Sequence, residues 1–265
     1  MYLYFMFNTN SIVLKKEILA LILLLVLAGC KEETTPLSYN SELLNKENLA
    51  LCEEGLCPDI SIDKLIASGG SFADTINGAI DKHLINLLVM DPDEVLKIKT
   101  FDEALENFVN NYRMYRNDFP DAIPGYEVSS ESKIAFSKEQ LLCLEFKDYT
   151  YYGGAHGYGS THFINLDKET QQMFTPETLF KDLSAFKSFA EKRFRSQYNI
   201  DPDQDLGETG FFFENDTFIL PQNIGFKNDQ LILLYNPYEI ASYAEGQLEL
   251  KFNLTEVQEF LIPSL

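Results

Sequence analysis

The apolar residues of this chain change their period near residue 125, and that change decides which folds are open to it. Ahead of it, Ile76, Ile80, Leu84, Leu87 and Leu88 recur at helical spacing and predict an amphipathic helix over residues 72–90, stopped ahead of Asp91-Pro92. Thr100 and Glu103 form a capping-box pattern before Ala104, Leu105, Phe108, Val109 and Tyr112, marking a second helix that ends near Phe119-Pro120. Beyond Pro124-Gly125 the period becomes two, so residues 126–136, 140–151 and 158–166 read as antiparallel strands. A short strand over Asp59–Ile66 precedes the first helix and ends at Gly69-Gly70.

A second run of elements follows. Thr175-Pro176 opens a short helix, and Ala185, Phe186, Phe189, Ala190, Phe194 and Tyr198 predict another that must end before Asp201-Pro202. Strands are expected at 211–213, 218–220, 231–235 and 248–252, and a last helix near Thr255. No internal repeat is present. The expected fold class is α+β: antiparallel sheets with helices packed on them, in two consecutive small units, 59–155 and 156–265.

The N-terminus carries an address. Lys15 and Lys16 precede the apolar run Ile18–Ala28, which is too short to cross a hydrocarbon core of about 30 Å and has the layout of a secretory signal. The run closes on Leu27-Ala28-Gly29-Cys30, which resembles a bacterial lipobox, with residues 1–29 as the signal peptide and Cys30 as the lipidated first residue of the mature chain. That resemblance implies a fatty-acyl (palmitate) anchor and a cell-envelope location, on the outer membrane, periplasmic or surface-exposed. Lys31, Glu32 and Glu33 resemble a surface-export tract. Residues 30–58 read as a tether. Outside the cytoplasm, Cys52 and Cys57 read as a small disulfide loop, with half of a metal site as the alternative. Cys143 reads as a small buried apolar residue.

Charge narrows the partners. With 41 acidic against 21 basic side chains the net charge is −20, which would repel a polyphosphate and excludes a nucleic-acid partner. Loss of residues 1–29 removes two lysines and one glutamate, making the mature body one unit more negative. A basic partner is the expected complement.

One segment concentrates unusual residues: Tyr151, Tyr152, Gly153, Gly154, His156, Tyr158 and His162. Glycines permit sharp turns and tyrosines offer flat apolar area with a polar tip, so the segment is a candidate ligand-binding surface; a Gly-rich turn whose aromatics pack in the core is the competing reading. His156 and His162 on one strand would stand roughly 20 Å apart, and only a tight turn through Gly157 and Gly159 would bring them together. No metal and no cofactor is expected. His83 reads as a packing residue on the edge of the first helix. No nucleophile elbow, zinc-helix or phosphate-loop motif occurs, and no catalytic residue is assigned.

The run Phe146–His156, followed by Phe163-Ile164-Asn165-Leu166-Asp167, Leu179-Phe180, Gly210-Phe211 and Tyr238–Gly246, resembles a paired domain of unknown function. That pair forms the extracytoplasmic part of RsiV-type anti-sigma factors and accompanies PdaC-type peptidoglycan deacetylases, and the likeness covers roughly residues 58–262. The deacetylase module itself and the spanning helix of the anti-sigma factors are not seen. The resemblance therefore implies an accessory binding module for a basic protein such as lysozyme, or for a cell-wall component. The alternative is an envelope enzyme acting on peptidoglycan or glycan, with His156 and a nearby carboxylate as acid and base.

Overall fold

The computed structural model describes residues 35–53, 55–121 and 125–265. The secretory run, Cys30 and the tract after it lie outside them. The class is α+β, with a five-stranded and a three-stranded sheet.

The first sheet has the order β1 (Ser38–Asn45), β2 (Asp59–Ser68), β3 (Tyr126–Lys138), β4 (Leu141–Tyr152), β5 (Tyr158–Asp167). Two of its features depart from expectation. Residues 38–45, inside the stretch read as a tether, form β1, a strand almost wholly exposed whose polar sequence has no alternation to betray it. It exists because β2 offers a free edge for antiparallel pairing. Secondly, β2 pairs with β3 in parallel, which demands a crossover, and the helices α1 (Gly70–Leu88), α2 (Pro92–Val95) and α3 (Phe101–Asp118) supply it.

Those helices cover one face of the sheet. Ile76, Ile80, Leu84 and Leu88 of α1 are fully buried, each stabilising by about 1.5–3 kcal/mol, against Val128, Leu142, Leu144 and Phe146. Thr100 and Glu103 do form the capping box that starts α3. The Cys52–Cys57 disulfide closes a loop beside this core, held to α3 by Arg113, which donates to the carbonyls of Leu51 and Leu56.

The second sheet is β6 (Asn223–Lys227), β7 (Gln230–Tyr235), β8 (Leu248–Asn253), preceded by α4 (Pro176–Leu179) and α5 (Leu183–Tyr198) and followed by α6 (Leu254–Val257). Phe186, Ala190 and Phe194 of α5 bury against it. The strands expected at 211–213 and 218–220 are irregular chain around a short 3-10 turn with left-handed Asn215 and Asp216. Their phenylalanines are core residues for another reason: Phe211, Phe213 and Phe218 ring Phe194 at centroid distances of 4.9–5.4 Å. The expected reading had no strand at 223–227.

The two sheets meet along β5, whose outer edge is capped by side-chain amides. Phe163 N donates to Asn223 Oδ1 at 2.7 Å and Thr161 N to Asn236 Oδ1 at 3.0 Å, while the Thr161 carbonyl accepts from both asparagines. Asn165 Nδ2 donates to the Ile224 carbonyl at 2.7 Å. An edge strand is a site of unwanted pairing, and here it is satisfied without becoming a sheet interior. Nearby, the buried Glu145 carboxylate binds Lys227 at 2.6 Å, and Cys143 Sγ accepts the Phe226 amide at 3.3 Å. Burial pushes the Cys143 thiol up to about 12, which keeps it an inert packing residue.

Candidate functional site

Strand alternation gives β4 two different faces. Leu142, Leu144, Phe146 and Asp148 turn to the helices, whereas Cys143, Glu145, Lys147 and Tyr149 turn to the other side. The second sheet covers only the lower part of that other side, around Cys143. Further along, the uncovered surface is concave.

Two hollows lie there. One, of about 420 Å³, is lined by Ser61, Asp63, Ser129, Glu131, Lys147 and Tyr149, from β2, β3 and β4. The other, of about 540 Å³, is lined by Lys147, Gly159, Thr161, Tyr243, Gly246 and Gln247. Lys147 borders both. Asp148 does too, but its carboxylate is turned to the helix face.

A bend carries β4 into β5 beside these hollows, and Gly153 and Gly154 make it at φ of +87° and +103°, values that L side chains rarely adopt. Behind it, Gly157 is the pivot of the groove. A side chain there would collide with the Tyr149 ring, so only glycine lets the two approach. The Gly157 carbonyl accepts from Tyr243 Oη at 3.0 Å and lies 2.8 Å from His156 Nδ1. Because a carbonyl only accepts, that contact puts the proton on Nδ1, leaving Nε2 to face Tyr238 Oη at 3.4 Å.

His156 stacks on Tyr243 with centroids 4.1 Å apart, and Tyr238 lies 5.4 Å from Tyr243. Tyr238 is exposed and sits at φ +70°, a left-handed conformation costing about 1–3 kcal/mol for such a residue. Its contacts with Tyr243 and His156 offset that cost. Among the described residues, none of the groups bonded to or stacked on His156 is a carboxylate.

The other residues singled out by sequence scatter. Tyr152 is a core anchor, its hydroxyl donating to the Leu87 carbonyl at 2.9 Å, and burial raises it to about 12. Tyr151 donates to the Gly154 carbonyl and lies over Gly125. Tyr158 donates to the Pro237 carbonyl at 3.4 Å. His162 belongs to a separate group under α1.

That group centres on Asp148, whose side chain is 1% exposed. It accepts from Ser130 Oγ at 2.7 Å and lies 2.9 Å from His83 Nε2. His83 stacks on Phe146 at 4.0 Å, and the His162 ring is 5.2 Å from it. His83 therefore packs as expected but also ties α1 to β4 through a carboxylate 65 residues away. Burial first, and His83 second, hold His162 below the ordinary histidine range, with Asp148 opposing them.

Sequence reasoning missed Lys147, Tyr243 and Gln247 as groove residues. The Tyr238–Gly246 run was visible as a tyrosine-rich segment, but nothing local showed that it faces β4 and β5.

Comparison with known proteins bears on this arrangement. Residues 53–158 match the family described as deacetylase PdaC, and residues 172–255 match a protein family of unknown function, DUF3298. The peptidoglycan-N-acetylmuramic acid deacetylase PdaC of Bacillus subtilis (strain 168) is 22% identical over 177 residues, covering 63% of this chain; the chain spans only 37% of that protein. Two solved structures share the fold. A DUF3298 family member from Bacteroides fragilis superposes with a TM-score of 0.64 at 22% identity, over 87% of this chain and 95% of that one. One from Pseudomonas aeruginosa does so with 0.57 at 20%, over 88% and 96%.

Proposed function

Starting from a chain that carries a PdaC deacetylase-family domain followed by a DUF3298 domain, we propose a non-catalytic binding module of the cell envelope that takes a cell-wall glycan in the groove beside β4 and β5. The observation that carries this reading is the groove itself. Its hollows are walled by Tyr149 and Tyr243 and lined between them by Ser61, Ser129, Thr161 and Gln247. Tyrosine rings offer a flat surface to the C–H face of a sugar, and hydroxyl and amide groups meet its hydroxyls. Ser130 and Asp148 also border one hollow, but the Asp148 carboxylate is turned to the helix face and held there by His83.

Titration with chitotetraose, followed by NMR, tests this. Resonances of Tyr149, Tyr243 and Gln247 should shift, and Tyr243→Ala should weaken binding by about 1–2 kcal/mol. Shifts confined to residues away from both hollows would end the reading.

The net charge favours a second reading, capture of a basic protein such as lysozyme on the acidic surface. In either case the lipid on Cys30 is proposed to hold the module at the envelope. Mass spectrometry of the protein from its native host should find Cys30 acylated at a new N-terminus; an intact Met1 would remove the anchor.

A further inference from the structure

Lys147 is an exposed cation that borders both hollows, on a chain of net charge −20. Of the carboxylates nearby, Glu131 and Glu145 are engaged, while Asp63, which lines the same hollow, leaves Oδ1 without a hydrogen-bond partner among the described residues. Its cross-strand neighbour Glu131 is drawn to Lys133 at 3.0 Å, and Glu145 is held by Lys227 at 2.6 Å. Among the described residues, Lys147 forms no ion pair. In a protein with so large an excess of acid, an ammonium in a groove with no carboxylate within ion-pair distance, though Glu131 lies across the strand from it, is an open position for an anion from elsewhere.

We infer that the groove selects a saccharide carrying a carboxylate, which Lys147 pairs while Tyr149 and Tyr243 hold the sugar rings on either side. This rests on the glycan reading of the groove and narrows it. The surrounding acidic surface repels anions at long range, so the selection is local: only a carboxylate presented by a chain already seated on the tyrosines reaches the ammonium. A small free anion gains no such placement, and inorganic phosphate should compete poorly.

Calorimetric titration of the described body, residues 35–265, with two tetrasaccharides tests it. Hyaluronan tetrasaccharide carries carboxylates and chitotetraose does not. The carboxylated chain should bind about tenfold tighter, the difference expected of one charge-assisted hydrogen bond in a sheltered site. Lys147→Met should erase that preference and Lys147→Arg should keep it, whereas Tyr243→Ala should weaken both chains alike and leave their ratio unchanged. Equal affinities for the two chains, or a preference that survives Lys147→Met, would overturn the inference and leave the glycan reading standing. Binding of neither chain would overturn both. Displacement of the carboxylated chain by millimolar inorganic phosphate would show a simple anion site and also count against it.

Discussion

Asp148 shows how one side chain acquires meaning only in three dimensions. It sits inside β4, between the exposed Lys147 and the half-buried Tyr149, yet it is buried and holds His83 and Ser130. A buried carboxylate persists only when paired and hydrogen-bonded, and both conditions are met. His162, beside this pair, sets an acid limit on stability. Its folded-state affinity for a proton is lowered, so below about pH 6.5 the unfolded chain takes up a proton that the folded chain resists. This contribution to stability should therefore fall as pH drops through that value, then level off once the folded form protonates as well. Urea midpoints at pH 7.5 and 5.5 should differ less in His162→Gln than in the parent; identical differences would show that His162 does not titrate in this window.

At the scale of elements, the long helices and the β3–β4–β5 meander were readable because their periods are sustained and their ends are marked by Thr100, Pro120, Gly125 and Asp201-Pro202, whereas the one-turn α2 was not expected. The strand β1 and the irregular 211–220 segment were not readable either. A polar edge strand has no buried face to impose alternation, and four phenylalanines in ten residues look like strand whether they pair or merely fill a core. The junction of the sheets depends on an equally silent detail. At Gly225 in β6, a methyl group would overlap the Phe163 ring of β5. Gly225→Ala should cost about 1–3 kcal/mol in urea unfolding as the sheets are forced apart. An unchanged midpoint would mean the ring has room to turn aside.

For the molecule as a whole, the dominant property is charge. A net −20 speeds encounter with cationic partners and the effect fades as ions screen it, over about 10 Å at 0.1 M salt. If a basic protein is a partner, the described body should retain lysozyme in a pull-down at low ionic strength and lose most of it at about 0.5 M salt. Retention that ignores salt would point to a contact made by shape and apolar area, and no retention under either condition would end that reading.

Composition and period were enough to establish an acidic α+β body, because these follow from local rules applied to neighbouring residues. The parallel β2–β3 pair, the amide caps on β5, the burial of Asp148 and the groove around Lys147 were decided by the tertiary structure. Each joins residues far apart in the chain, Ser61 with Ser129 and Thr161 with Asn236, and no spacing along a sequence records which distant segments a folded sheet will set side by side.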